Sequence, residues 1–241
     1  MDWFETWFDT PYYHILYNNR DYNEAESFIS RLIEDIKLPQ GAQIVDLACG
    51  KGRHSVFLNR MGFNILGLDL SHQSIEHNKQ FEDEHLKFME HDMRNPLPVQ
   101  NVDAVFNLFT SFGYFETEKE DLSVFTSVHH GLKMGGLFVL DYLNREFVED
   151  GMKESYDEVR GDLVFHIHKK IENNYVIKEI NFTDQGKDYQ YFERVKLHTS
   201  DKINEYAEQS GFERVKIWGD YHLNEFDIHT SPRCINLFRK K

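Results

Sequence analysis

The run Gln43-Ile-Val-Asp-Leu-Ala-Cys-Gly-Lys-Gly-Arg-His-Ser55 limits what this chain can fold into more than any other stretch. Ile44, Val45 and Leu47 are strand formers, and the apolar run halts at an acid before two closely spaced glycines. Gly50 and Gly52 carry no Cβ, so the backbone there can turn sharply and approach a ligand. From Arg53 onward Val56, Phe57 and Met61 share one helical face, and Gly62 supplies a stop. The stretch therefore predicts a strand, a tight ligand-facing loop and the start of a helix. A second apolar run, Phe63 to Leu68, ends at Asp69. Asp69 follows Asp46 at roughly the 20-residue spacing that puts an acid at the end of the second strand of a βαβ unit, where it accepts from ribose hydroxyls.

Asp46-Leu-Ala-Cys-Gly-Lys-Gly52 resembles motif I of the class I S-adenosylmethionine (SAM) dependent methyltransferases, with Ala48 in place of the usual first glycine. Gly67-Leu-Asp69-Leu70-Ser71 resembles their second motif, and His91-Asp92-Met93 the segment that contacts adenine. Val102-Asp-Ala-Val-Phe-Asn107-Leu108-Phe109 resembles the fourth strand, which faces the methionine end. The resemblance covers Gln43 to Leu143, with the family's late strands near the C-terminus. It implies an α/β fold, a Rossmann-like seven-stranded sheet with helices on both faces, and SAM as cofactor. In that reading Ala48, Gly50 and Gly52 meet the methionine end together with Asn107 and Leu108. Asp69 and Leu70 hold the ribose, and Asp92 and Met93 bracket adenine. Asp46 orients the loop, through the cofactor amine or through water.

The N-terminal stretch Pro11-Tyr-Tyr-His-Ile-Leu-Tyr17-Asn-Asn-Arg20 is similar to the lid of small-molecule methyltransferases, which assigns Tyr13 and Arg20 to the cofactor's amino acid end. Aromatic residues stapling a terminal helix to the core account for the same pattern. Two other functions remain open. One is a SAM-binding module that regulates or assembles without turnover. The other is an NAD-dependent enzyme, since Gly50-x-Gly52-x-x-Ser55 comes near a dinucleotide loop, with Ser55 where a third glycine aids packing. The acid ahead of the glycines favours SAM, whose cationic groups need no pyrophosphate cradle.

At 241 residues the chain supports one α/β core and a modest insertion. A net charge of −14 argues against nucleic acid, which is bound by neutralising phosphates with Lys and Arg. Cys49 and Cys234 form no disulfide framework, which fits a reducing cytoplasm. No apolar run approaches the ~18 residues of a spanning helix, and the N-terminus lacks a secretory pattern, so no membrane partner is expected. The expected partner is a small-molecule substrate, with a homodimer compatible.

In chain order, Trp3 to Tyr17 reads as an aromatic-rich helix, and Tyr22 to Ile36 as an amphipathic one, closed by Leu38-Pro39-Gln-Gly41. Ser71 caps a helix reaching Phe81, and His85 to Met89 is the third strand. Val102 to Phe109 is apolar enough for a central parallel strand. The loop after it offers Tyr114 and Phe115 as substrate walls. Thr117-x-x-Glu120 reads as a capping box, and a double glycine precedes a fifth strand at Leu137 to Leu140, beyond which Asn144 leaves on the ligand side. His129 and His130 point about 100° apart on their helix and read as a solvated face.

Residues 151–198 alternate as three antiparallel strands beginning at Leu163, Tyr175 and Tyr189, a β insertion. His166 and His168 lie on one face of it, without a third ligand for a metal. Thr199 to Gln209 is helical, Phe212 to Trp218 the sixth strand, and Cys234 to Phe238 the seventh. The expected division is 1–150 with 199–241 as the cofactor domain and 151–198 as the insertion. No catalytic residue is assigned, because alignment of a nucleophile with an activated methyl supplies most of the acceleration. His14 and His222 are the bases to consider if the acceptor must lose a proton.

Overall fold

The computed structural model describes residues 3–17 and 22–241. The aromatic N-terminus is two short helices, α1 (Trp3–Trp7) and α2 (Pro11–Leu16), rather than the single helix expected. The break is local chemistry: Thr10 caps α2 by accepting from the Tyr13 N–H, and Pro11 sits in the first turn, where its missing N–H is harmless. Then follow α3 (Tyr22–Ile36), β1 (Gln43–Leu47), α4 (Arg53–Arg60), β2 (Asn64–Asp69), α5 (His72–Asn78), β3 (Leu86–Glu90) and β4 (Val102–Asn107). The second half comprises α6 (Glu118–Gly131), β5 (Leu132–Leu143), α7 (Arg145–Gly151), β6 (Ser155–Arg160), β7 (Leu163–Glu172), β8 (Tyr175–Asp184) and β9 (Lys187–Lys196). It closes with α8 (Ser200–Gln209), β10 (Phe212–Trp218) and β11 (Arg233–Lys240).

Seven strands form the main sheet in the order β3-β2-β1-β4-β5-β11-β10. The first five pair in parallel, and β11 runs antiparallel to β5 as does β10 to β11. Alternate residues of β1 serve opposite faces: Ile44 joins a core with Phe28, Leu32 and Leu58, whereas Val45 joins one with Phe125, Val128 and Tyr206. The sheet is thus covered on both sides. Strand β5 is longer than expected, because the double glycine lies inside it. Gly135 has φ 74°, and the pairing slips between Val102↔Leu132 and Ala104↔Leu137. The predicted caps hold: Thr117 and Glu120 form the reciprocal box, and Ser71 accepts from an N–H of the first turn of its helix. Thr199, expected as the first residue of its helix, is instead the cap of α8.

The insertion has four antiparallel strands, not three, in the order β6-β7-β8-β9. Strand β6, Ser-Tyr-Asp-Glu-Val-Arg, is a polar edge strand whose apolar signal is too thin to read from sequence. His166 and His168 face solvent and lean on this strand, His166 against Asp157 and His168 against Ser155. One face of the small sheet builds a third core, in which Phe165, Ile167, Ile180 and Phe182 pack with Trp7 of α1 and Leu16 of α2. The two N-terminal helices and the insertion therefore form one layer over the carboxyl ends of the main sheet. Among the described residues no helix is long and apolar enough to cross a membrane.

Candidate active site

The strand order reverses between β1 and β4, the point at which open α/β sheets leave a crevice. A cleft of about 790 Å3 opens there, floored by Leu47 to Lys51 and roofed by the N-terminal helices and β9. The loop is shaped by its acids. Asp46 is 1% exposed and accepts from Ser55 Oγ at 2.6 Å, tying the end of β1 to the first turn of α4. Burial raises its pKa to about 6, helped by Asp69 and opposed by the Ser55 hydrogen bonds. Asp69 grips the loop from the side, accepting from the Gly50 N–H at 2.7 Å and the Ser71 N–H at 2.8 Å. Its pKa is raised by burial against those same bonds.

The two glycines do different work. Gly50 has φ 54°, and a Cβ there would meet nothing within 4 Å, so the bare backbone faces the cleft. Gly52 does not line the cleft. A Cβ there would fall 2.9 Å from the Phe88 ring, so this glycine lets α4 pack against β3, a correction to its expected contact with the cofactor. Ala48 stays in the loop with φ 62°, the left-handed conformation that a glycine would adopt freely.

Leu70, Asp92 and Met93 line one end of the cleft with Asp69. Burial works upward on Asp92, but the Arg94 guanidinium and N–H outweigh it and hold the carboxyl below its usual range. The Arg94 and Asp92 side chains meet at 2.7 Å. At the other end Leu108, Phe109 and Thr110 leave β4, and both Phe109 (φ 60°) and Thr110 (φ 62°) are left-handed. Such conformations persist only where surrounding bonds impose them. Asp141 does this, accepting from the Phe109 N–H at 2.8 Å and from Arg233 Nε at 2.8 Å, while Arg233 Nη2 donates to Thr110 Oγ1 at 2.7 Å. His54 stacks on Phe109, and Phe109 on Tyr221, each pair with ring centroids 4.9 Å apart.

The roof is aromatic. Tyr13, Tyr17, Phe4 and Phe8 come from the N-terminal helices, and Tyr114 and Phe115 from the loop after β4. Glu193 of β9 closes it, accepting from Trp7 Nε1 at 2.8 Å and Tyr17 Oη at 2.6 Å, with Lys178 at 3.8 Å. Tyr13, Tyr114 and Phe115 are thus in the cleft wall.

Two other candidates lie behind the wall. Asn107 is fully buried, and its amide donates to the Leu47 carbonyl at 2.9 Å, bracing the loop. Asn144 is 2% exposed and donates to the Ile228 and Ser231 carbonyls, both at 2.8 Å, which fastens the segment before β11. Each ends a strand on the correct side, but its side chain turns to satisfy buried carbonyls. His222 is exposed and away from the cleft, whereas His14 lines it. His129 is half-buried edge-on to Phe212, not solvated as expected. Arg20 lies outside the described residues. The sequence reading passed over Arg53, His54, Tyr221, Glu193 and Arg233. Arg53 and His54 directly follow Gly52 and could have been found from that position, but nothing in spacing brings Tyr221 or Arg233 to the loop after β4.

Comparison with known proteins agrees with this geometry. A family model described as a methyltransferase domain matches residues 44–136. The dTDP-3-amino-3,4,6-trideoxy-alpha-D-glucopyranose N,N-dimethyltransferase of Streptomyces venezuelae is 31% identical over 196 residues, covering 78% of this chain and 81% of its own. The chain belongs to the class I SAM-dependent methyltransferases. A glycine/sarcosine N-methyltransferase of Aphanothece halophytica is 26% identical over 91% of this chain and 85% of its own. Among solved structures, a SAM-dependent methyltransferase from Clostridium acetobutylicum shares the fold with a TM-score of 0.80 at 18% identity, covering 95% of this chain and 96% of that one. A SAM-bound amino pentose methyltransferase from Micromonospora echinaspora gives 0.73 at 17% identity, covering 96% and 98%.

The methyltransferase uses SAM as its methyl donor, and the cleft fits that cofactor on its own evidence. Gly50 leaves open space where a side chain would project, and an acid sits at the end of β2. The cleft is lined by the carboxylates of Asp9, Asp69, Glu90, Asp92 and Glu193 against the cations of Lys51, Arg53 and Arg233, a balance that suits a positively charged sulfonium. Among the described residues no three His, Cys, Asp or Glu side chains converge on a metal site.

Proposed function

We propose that this methyltransferase moves the methyl of SAM to the nitrogen of a small-molecule amine, inside the cleft and under the roof. The observation that carries the reading is the enclosed aromatic end of the cleft, built around Phe109, Tyr114, Tyr221 and the Glu193 carboxylate. Aromatic faces and a carboxylate favour a cationic or methylated amine over an anionic acceptor. Two of the relatives described above are named as N-methyltransferases, which supports nitrogen as the acceptor atom.

Bound SAM supplies an electrophilic methyl on a sulfonium. The residues of the chain then hold and align. Gly50 and Ala48 offer backbone to the methionine end, Asp69 accepts from the ribose hydroxyls, and Leu70, Asp92 and Met93 enclose adenine. Tyr13 closes over the amino acid end with Leu108, and Tyr114 and Phe115 bound the acceptor. Alignment supplies the rate, and excluding water protects it. His54 Nε2 faces the Arg53 guanidinium at 3.2 Å, so that nitrogen meets a donor and is not placed to take a proton.

In this reading 1–150 with 199–241 carry the cofactor, and 151–198 cover the acceptor. The enzyme acts in the cytoplasm, without a nucleic-acid partner, which the charge of −14 supports. The test has two stages. A thermal shift with SAM and S-adenosylhomocysteine but none with NAD is expected, since only a ligand of the native state raises stability. Methyl transfer from labelled SAM is then screened over glycine, sarcosine and amino sugars beside their hydroxy counterparts. Transfer to hydroxy compounds alone would overturn the nitrogen assignment.

A further inference from the structure

Between α2 and α5 lies a second cavity, of about 430 Å3, lined by Pro11, His14, Ile15, Lys51, Gln73 and His77. His14 and Lys51 also line the main cleft, so the two spaces meet at the glycine loop. Among the described residues the polar lining consists of an ammonium, two imidazoles and a carboxamide, with no carboxylate, in a chain of net charge −14. Among the described residues His14 Nε2, which is buried, has no hydrogen-bond partner. Burial lowers the His14 pKa to about 4, with Lys51 and His77 pushing the same way and Asp9 opposing. Burial also lowers the Lys51 pKa. The Asp9 carboxylate is engaged elsewhere, accepting from Ser71 Oγ at 2.7 Å and the Gln73 N–H at 3.1 Å. Groups that disfavour one another's protonation are relieved by an anion placed among them.

We propose that this cavity binds an anionic group, a carboxylate or a phosphate, held by Lys51 and His77 with His14 as a hydrogen-bonding wall. The proposal rests on the chain binding SAM at the adjoining loop. Two sources carry the chemistry: the methionyl carboxylate of the cofactor, or a separate phosphate-bearing molecule.

Calorimetry on the full chain, Lys51→Met, Lys51→Arg and His77→Gln tests it with three probes. These are S-adenosylhomocysteine, 5′-methylthioadenosine, which is an adenosyl thioether without the amino acid group, and inorganic phosphate. For the cofactor's carboxylate, Lys51→Met and His77→Gln weaken S-adenosylhomocysteine about tenfold through loss of charge-assisted hydrogen bonds. In the same variants 5′-methylthioadenosine stays within about twofold of wild type, and Lys51→Arg retains affinity for S-adenosylhomocysteine. For a separate anion, phosphate binds the wild type and loses about tenfold in the same two variants, while S-adenosylhomocysteine is unchanged. The proposal is overturned if neither S-adenosylhomocysteine nor phosphate loses affinity, or if 5′-methylthioadenosine falls in parallel, because Lys51 then shapes the loop for any adenosyl ligand. Absence of adenosyl binding in the wild type would count against the cofactor reading, and the phosphate titration would then decide the cavity alone.

Discussion

The floor and the roof of the cleft are built on different principles. The floor comes from one short stretch of chain, 43–93, and turns on its glycine loop, with Gly50 bare and Asp69 holding the loop by its N–H groups. The roof joins segments far apart in sequence, α1 and α2 with β6 to β9, and presents side chains. Its fastenings are side-chain bonds such as Trp7 and Tyr17 to Glu193, Tyr12 to Asp184, and Arg160 to the Leu16 carbonyl. A backbone site restricts which residues the loop tolerates. A side-chain roof can change its lining without disturbing the loop.

The largest effect is expected in the roof. Trp7 is 1% exposed at the centre of the third core, and Trp7→Ala should cost about 3–5 kcal/mol there. Hydrogen exchange should quicken across 155–196 and leave β1 and β4 protected. Uniform loss of protection would show that the roof is not a separate unit. In the floor, Asp69→Ala removes the acceptor of two loop N–H groups and should weaken SAM by 100-fold or more, about 3 kcal/mol, with the circular dichroism unchanged. Affinity close to wild type would remove Asp69 from the site.

A pH series sharpens the contrast. Asp46 has a folded pKa of about 6 against 3.8 for the free carboxyl, so the folded state holds the extra proton between those values. Its contribution therefore falls as pH rises from about 4 to 6, by up to about 3 kcal/mol. Asp46→Asn should abolish that fall in urea titrations. His14 has the opposite slope, because its lowered pKa makes the unfolded state the better proton binder from about 6.5 down to about 4. Its contribution is present above pH 6.5 and lost as pH falls through that window, and His14→Gln should flatten it. The smallest stability effect belongs to Gly50→Ala, about 1 kcal/mol for a left-handed alanine, yet the added methyl projects into the cleft and should impair SAM binding. Gly52→Ala should do the reverse, lowering the melting temperature through its clash with Phe88. Equal behaviour of the two variants would contradict their assigned roles.

The floor was legible because its signals are local. Acid, small residues and glycines at fixed spacing state a backbone path, and Asp69 follows from strand and helix lengths. Legibility ended where a side chain had a choice of direction. Asn107 and Asn144 both end strands on the ligand side, yet each turns inward to answer buried carbonyls. Arg233 stands near the far end of the chain and reaches Thr110 because β11 pairs with β5 beside β4. Strand β6 lacked an apolar pattern of its own and exists by pairing with β7.

By itself the sequence determined the parallel sheet, its caps, the glycine loop and the cofactor it serves. Those features rest on contacts within a few tens of residues, where spacing alone fixes geometry. Tertiary structure alone decided that residues 3–17 join the insertion, and that Gly52 packs against Phe88 while Gly50 lines the cleft. Such outcomes depend on which distant surfaces bury one another, and hydrophobic burial is non-directional until a chain closes on itself.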